Sequence, residues 1–131
     1  MCVFCKIIAG EIPSSKVYED DSVLAILDLS QAQKGHTLVM PKKHFDTFLD
    51  ADKETVNHVF EVTQNLANKI KKALNADGVN VLNNSYEAAG QTVMHMHVHI
   101  IPRYKNDDLK IEFKDHSKDY PLNDVLNEIN K

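Results

Sequence analysis

Apolar residues fall into short runs through the first hundred positions, and glycine, proline and acidic residues punctuate the runs. Residues 2–8 read as a short ordered segment of one helical turn, ended by the break at Gly10 to Pro13. Val17 to Asp21 is a strand running into an acidic turn, and Val23 to Asp28 is a second, mostly apolar strand that ends on a carboxylate. Gly35 precedes a third, His36 to Met40, closed by Pro41. From Asp52 to Leu74 the period changes. Val56, Val59, Phe60, Leu66, Ile70, Ala73 and Leu74 recur at spacings of three and four, with Thr63 bridging a gap, which predicts a long helix. Asp50 or Asp52 caps its start, Lys69, Lys71 and Lys72 suit its negative end, and Asp77-Gly78 stops it. Val79 to Asn83 is a fourth strand. Val93 to Ile101, rich in β-branched residues and closed by Pro102, is a fifth. A short helix is expected around Leu122 to Ile129 in an otherwise polar tail. Strands bracketing one long helix predict an α+β domain, with a five-stranded antiparallel sheet covered by that helix and a short N-terminal helix. Residues 1–105 form the domain and 106–131 its tail.

Inside the fifth run stand His95, His97 and His99. Alternate side chains of a strand share a face, so the three imidazoles are expected on one surface, with Met94, Met96, Val98 and Ile100 packing on the other. Imidazole titrates near neutrality and can attack, donate, accept or ligate, so this row is where chemistry is expected. A metal-binding tract or a tag has the same spelling. A tag, however, lies at a terminus outside any hydrophobic pattern.

At 131 residues, 43% hydrophobic and 26% charged, the chain suits one globular domain. Its net charge of −4 argues against a general nucleic-acid binder, although a small phosphate ligand needs only a local site. No run approaches the ~20 apolar residues of a membrane span. The N-terminal segment, interrupted by Lys6, Gly10 and Glu11, lacks the apolar region of an export signal. A cytoplasmic location is therefore expected, with Cys2 and Cys5 as thiols or metal ligands rather than a structural disulfide. Alone, Cys-x-x-Cys is compatible with redox chemistry, zinc or neither.

Four blocks, in order, resemble the histidine-triad nucleotide hydrolases and transferases. They are Cys2 to Ile8 with Glu11-Ile12-Pro13; Leu27-Asp28-Leu29; Gly35 to Val39 through Pro41-Lys42-Lys43-His44; and Gly90-Gln91-Thr92 through Arg103. The similarity covers Cys2 to about Arg103 and points to the bacterial-type branch with an N-terminal Cys-x-x-Cys. The resemblance implies that His97 is the nucleophile, forming a covalent nucleotidyl-histidine at an α-phosphorus. It implies His99 and Thr92 as phosphate ligands, His36 as a further phosphate contact or leaving-group assistant, and Gln91 as the residue orienting phosphate or water. On their own, His36 reads equally as a surface residue after a glycine turn, and Thr92 as a β-former.

The same resemblance places Asp28 on the ribose hydroxyls, where the residue alone reads as a strand-end turn former. Val3, Phe4, Ile7, Ile12 and Leu29 match positions that sandwich the base, although each is also ordinary core chemistry. Asn84 matches an asparagine near phosphate and ribose, with Asn83 blurring the register. Cys2, Cys5, His44 and His95 match a structural Cys₂His₂ zinc set. The implied activity is hydrolysis of a nucleoside 5′-phosphoramidate or related adenylate, with a purine nucleotide (AMP-type) substrate and no metal required for catalysis. A dinucleoside polyphosphate hydrolase and a nucleotide-binding or interaction module with residual activity are the alternatives. A homodimer paired through the helix and a sheet edge is also implied. The sequence departs from the pattern at Gln31, where proline often follows Asp-x-Ser, in the glycine-free Ser85 to Ala89, and in the unmatched tail. His58 and His116 match no motif and read as solvated.

Overall fold

Strands β2 (Val23–Leu27) and β3 (Thr37–Pro41) are buried along nearly their whole length, which explains why their sequences are continuous apolar runs instead of alternating ones. They are central strands of an antiparallel five-stranded sheet with the order β1-β2-β3-β5-β4, where β1 is Lys16–Glu19, β4 Gly78–Asn83 and β5 Val98–Arg103. The protein is described here by a computed structural model covering residues 2–131. One face of the sheet packs on helix α2 (Lys53–Ala73): Val23, Ala25, Val39, Val98 and Ile100 meet Val59, Val62, Leu66 and Ile70. The other face, with Leu24, Ile26, Leu38 and Met40, packs on Phe4 of helix α1 (Val3–Ile8). Each valine, leucine, isoleucine, methionine or phenylalanine side chain so buried contributes roughly 1.5–3 kcal/mol. The expected α+β fold and five antiparallel strands are present, and α1 carries the short N-terminal helix.

Several boundaries differ from expectation for identifiable reasons. The fifth strand begins at Val98, not Val93. The His95 N–H bonds the Val93 carbonyl at 2.9 Å and the Met96 N–H bonds the Phe45 carbonyl at 2.7 Å, so the chain bends before it can enter the ladder. Met94 is consequently half exposed instead of packing with Met96, Val98 and Ile100. Nor does Pro102 close the strand: it lies within β5 opposite Val79, beyond Ile100, the last β5 residue that pairs with β3. There β5 borders β4 alone, and the missing N–H costs no ladder bond. Pro41, by contrast, is the last residue of β3, opposite Val23.

Helix α2 starts at the predicted cap, where Asp52 accepts the Thr55 N–H at 2.8 Å. It ends earlier than Asp77-Gly78. Asn75 takes φ 52°, its N–H bonds the Lys72 carbonyl, and the Ala76 N–H bonds the Lys71 carbonyl, the paired closure of a Schellman motif. Gly78 already belongs to β4. His58 on α2 is more than solvated surface: its Nε2 lies 2.7 Å from Asp20 Oδ2, tying the helix to the turn between β1 and β2. His116 is exposed, beside Asp119 at 3.0 Å.

After β5 the chain is fastened by Arg103, which bonds Asp107 through two nitrogens and also reaches the Leu109 carbonyl. Beyond that knot residues 110–131 are exposed, apart from half-buried Leu109 just before them, and helix α3 (Leu122–Ile129) keeps Leu122 and Ile129 largely open. No helix among the described residues is long and apolar enough to cross a membrane.

Gly35, with φ +96°, precedes β3 where a Cβ would stand 2.4 Å from Leu74 Cδ1 and 3.1 Å from Pro102 Cγ. Only glycine combines that backbone with that closeness to the end of α2. Gly35→Ala is therefore expected to destabilise the fold by about 2 kcal/mol or more, read as a lower urea midpoint at unchanged m-value. An unaltered midpoint contradicts this packing account.

Candidate functional site

The imidazoles of His95, His97 and His99 all rise from the sheet face that carries α1, while Met96, Val98 and Ile100 point into the core under α2. Alternation survives the bend, but the three histidines enter two different clusters.

The first cluster is His97, His99, His36 and Asp28. His97 Nδ1 lies 2.7 Å from the main-chain oxygen of His95. A carbonyl only accepts, so Nδ1 carries the proton and Nε2 keeps its lone pair. The ring is 6% exposed and Phe4 packs edge-on against it at 5.0 Å. No described residue hydrogen-bonds Nε2, yet among the described residues no buried side-chain nitrogen lacks a partner, so Nε2 is the atom of this ring that reaches solvent. Asn83 Nδ2 donates to the His97 carbonyl at 2.9 Å and fixes its backbone from β4.

Behind His97 runs a directional hydrogen-bond chain. The Ala32 N–H donates to His36 Nδ1 at 3.1 Å, which puts the His36 proton on Nε2. Nε2 in turn lies 2.9 Å from His99 Nδ1 and donates to it, so His99 holds its own proton on Nε2. Asp28 Oδ2 is 3.6 Å from His36 Nε2, and Oδ1 accepts the Ser30 N–H at 2.8 Å. Burial pushes His36 below the ordinary imidazole range, against the pull of Asp28. Burial also lowers His97, opposed by the bond to the His95 carbonyl. For His99, burial and then the neighbouring His97 and His36 depress it to about 4. The site is thus a set of neutral imidazoles at pH 7, with one exposed lone pair and one N–H available to an anion.

The second cluster is Cys2, Cys5, His44 and His95, whose ligand atoms all lie within 4.8 Å of one another. His95 Nε2 donates to the Pro41 carbonyl at 2.8 Å, and His44 Nε2 is 2.7 Å from Asp46 Oδ1. Both Nδ1 atoms therefore present lone pairs, and these face each other at 3.1 Å, with Cys5 Sγ 3.4 Å from His44 and Cys2 Sγ 3.5 Å from His95. Lone pairs so aimed repel unless a cation sits between them. Two thiols and two imidazoles, each ring fixed by a further acceptor, fit a tetrahedral metal of the zinc type.

The other candidate residues are distributed unevenly around these clusters. Phe4 touches both His95 and His97. Val3 and Thr92 line a groove of about 470 Å³ beside Cys2 and His44. Ile7 packs under Phe4 and Ile12 is half-buried. Leu29 is fully exposed. Asn84 faces Gly90, whose own φ is +95°. Gln91 is buried, its amide donating to the carbonyls of Asp46 and Val93 and accepting the Tyr86 N–H, so it clamps the loop that leads into the histidines. Sequence reasoning missed Asp46, Asn83 as a support of His97, and the carbonyls of Pro41 and His95. The spacing His44-x-Asp46 was a usable signal, since metal-binding imidazoles ordinarily donate to a carboxylate; backbone acceptors leave none.

Residues 9–106 match the HIT domain family. A HIT family protein from Bacillus subtilis is 47% identical with a TM-score of 0.90, the match covering 98% of this chain and 92% of that one. A zinc-bound histidine triad family protein from Mycobacterium smegmatis is 39% identical with a TM-score of 0.80, covering 90% and 86%. Adenylylsulfatase HINT3 from Arabidopsis thaliana is 44% identical over 108 residues, covering 82% of this chain and 55% of that protein. The chain belongs to the HIT family, whose members are nucleotide-binding hydrolases or transferases.

Depressed His99 makes folding pH-dependent in a defined direction. Unfolded, it takes up a proton below about 6.5; folded, only below about 4, so stability falls as pH drops through that window. At pH 5 this loss is about 1–2 kcal/mol relative to pH 7, on top of the like-signed losses from His36 and His97. His99→Gln is expected to flatten the slope of urea midpoint against pH. A variant whose slope equals that of the wild type contradicts the assignment.

Proposed function

We propose that the protein hydrolyses a nucleoside 5′-phosphoramidate or a related adenylate at the α-phosphorus through a covalent intermediate on His97. The observation that carries this reading is the 2.7 Å bond from His97 Nδ1 to the His95 carbonyl, which leaves Nε2 as a lone pair at the surface of a buried, neutral ring. Such a nitrogen forms the N–P bond while the P–N or P–O bond to the leaving group breaks. The leaving group departs with the bonding pair and takes up a proton. Water then attacks phosphorus, the N–P bond breaks, the pair returns to Nε2, and the nucleoside monophosphate is released.

In this reading His99 Nε2–H binds a phosphate oxygen, and His36 holds the His99 tautomer through their 2.9 Å bond. Thr92 is a further phosphate ligand. Gln91, whose amide is engaged with backbone, positions the loop that presents Thr92. Asp28 and Asn84 serve the ribose and phosphate side; Phe4, Val3, Ile7, Ile12 and Leu29 serve the base. The relative named adenylylsulfatase favours an adenylate whose leaving group is an anion as readily as an amine, so adenylyl sulfate belongs among the substrates tested. Zinc at Cys2, Cys5, His44 and His95 is structural: it fastens α1 to the His95 segment and takes no part in the two displacement steps.

Adenosine 5′-phosphoramidate, adenylyl sulfate and diadenosine polyphosphates, assayed side by side, identify the leaving group. His97→Ala is expected to lower turnover of the preferred substrate about a thousandfold or more, and rapid-quench intact mass to show a nucleotidyl adduct in the wild type only. Retained turnover in the variant removes His97 as nucleophile.

We also propose a homodimer paired through α2 and the free edge of β4, which bonds only β5 and leaves Val81 half exposed. Sedimentation equilibrium at micromolar concentration is expected to give twice the chain mass, and Val81→Lys the single mass. A wild type of single mass at that concentration excludes the pairing.

A further inference from the structure

Cys2 and Cys5 are the chain's two cysteines, both free and half-buried. The groove lined by Cys2, Val3, His44, Thr92, Val93 and Met94 brings a small solute to Cys2, and Cys5 stands beside it. The side chains already converge: the Cys5 N–H donates to Cys2 Sγ at 3.3 Å, and the two sulfurs lie within 4.8 Å of each other. Closing to the roughly 2 Å of a disulfide needs rotation about side-chain bonds of residues one helical turn apart.

What those sulfurs hold is coupled to the nucleophilic ring by two routes. Both face His95 Nδ1, at 3.5 and 3.6 Å, and the His95 main-chain oxygen fixes the His97 tautomer. Between the cysteines in sequence, on the same helix, is Phe4, whose ring meets His97 at 5.0 Å and 89°. A change in the cysteine pair therefore moves either the carbonyl or the ring that supports His97.

We infer that Cys2 and Cys5 form an oxidation-sensitive latch: a peroxide joins them in an intramolecular disulfide, the metal leaves, and the support of His97 loosens. The inference rests on reading the four residues as a metal site. In the first step one thiolate attacks a peroxide oxygen, the O–O bond breaks, and a sulfenic acid forms as hydroxide departs and takes up a proton to become water. In the second, the other thiolate attacks the sulfenyl sulfur, the S–O bond breaks, and hydroxide leaves and takes up a proton. Two thiols and one hydrogen peroxide give one disulfide and two waters; sulfur is oxidised and peroxide reduced. A bound divalent ion, having lost both thiolates, departs hydrated. His44 and His95 are then left with lone pairs facing each other at 3.1 Å, a repulsion relieved when the two rings move apart. That movement disturbs His95, and with it the carbonyl on which His97 depends.

The test uses the full, reduced, zinc-loaded chain treated with hydrogen peroxide. Measured together are free thiols, intact mass, zinc captured by a chromogenic chelator, the His97 imidazole resonances and hydrolysis of adenosine 5′-phosphoramidate. Expected are loss of both thiols in step, an intramolecular disulfide, one zinc released per disulfide, shifted His97 resonances, and hydrolysis lower by about tenfold or more. Dithiothreitol with zinc restores every readout. Cys5→Ser is expected to form no intramolecular disulfide and to leave Cys2 over-oxidised beyond rescue. Thiols that persist, a link between two chains, or a disulfide that leaves zinc and the His97 resonances unchanged overturns the latch. A reduced protein that neither contains nor takes up zinc fails the metal reading instead, and the disulfide with its His97 shift then decides the latch. Absence of hydrolysis before oxidation fails the catalytic reading, while thiols, zinc and resonances still report on the latch.

Discussion

One residue, His95, joins what is otherwise two separate constructions. Its Nε2 is pinned to the Pro41 carbonyl at the end of β3, its Nδ1 faces two sulfurs and His44, and its main-chain oxygen receives the His97 Nδ1 proton. These three bonds point in three directions and leave the residue 0% exposed. The same bend that ends ladder pairing before Val98 frees the His95 carbonyl to be an acceptor for a side chain rather than for a neighbouring strand. A straight strand through residues 93–101 cannot do this, because its carbonyls are committed to the sheet. The irregular backbone ahead of β5 is thus the condition for a fixed His97 tautomer.

The double-sided sheet supplies rigidity to this arrangement. Burial of β2 and β3 on both faces holds the strand ends from which Pro41 and Thr37 emerge, and α1 adds a thin lid whose single buried residue, Phe4, rests on the site itself. The short α1 has too few residues to be stable in isolation. It is held by packing of Phe4 and by the convergence of Cys2 and Cys5 on the histidines. Fold and site therefore share the same few contacts at the N-terminus.

Most of the architecture was legible in the sequence because burial imposes strong patterns. Continuous apolar runs marked β2 and β3, three-and-four spacing marked α2, and the alternation of His95, His97 and His99 against Met96, Val98 and Ile100 survived into the structure. The misread boundaries are places where a nonlocal backbone bond overrides local preference. Val93 and Met94 favour a strand, but the Phe45 carbonyl captures the Met96 N–H. Pro102 looks like a terminator, yet it is harmless where β3 has already ended. Within the site, ligand types and spacing were readable, whereas the acceptors that choose each tautomer are mostly carbonyls, which any residue type provides. Asp46 is the exception, and its distance of two from His44 gave it away only once the ring's second nitrogen had to be accounted for. Gln91 could be read as a polar site residue, but not that its amide is spent on holding three backbone groups.

The linked pair of His36 and His99 has a bearing on selectivity. Because burial keeps both rings uncharged near neutrality, neither holds a standing positive charge. A small anion therefore finds no ion-pair partner in either ring. On the proposed reading, a phosphate group bringing its own negative charge would raise the affinity of these imidazoles for hydrogen ions and draw one in from solvent. Counter-charge would then be delivered on demand, and the calorimetric heat of nucleotide binding would carry the ionisation enthalpy of whatever buffer surrendered the proton.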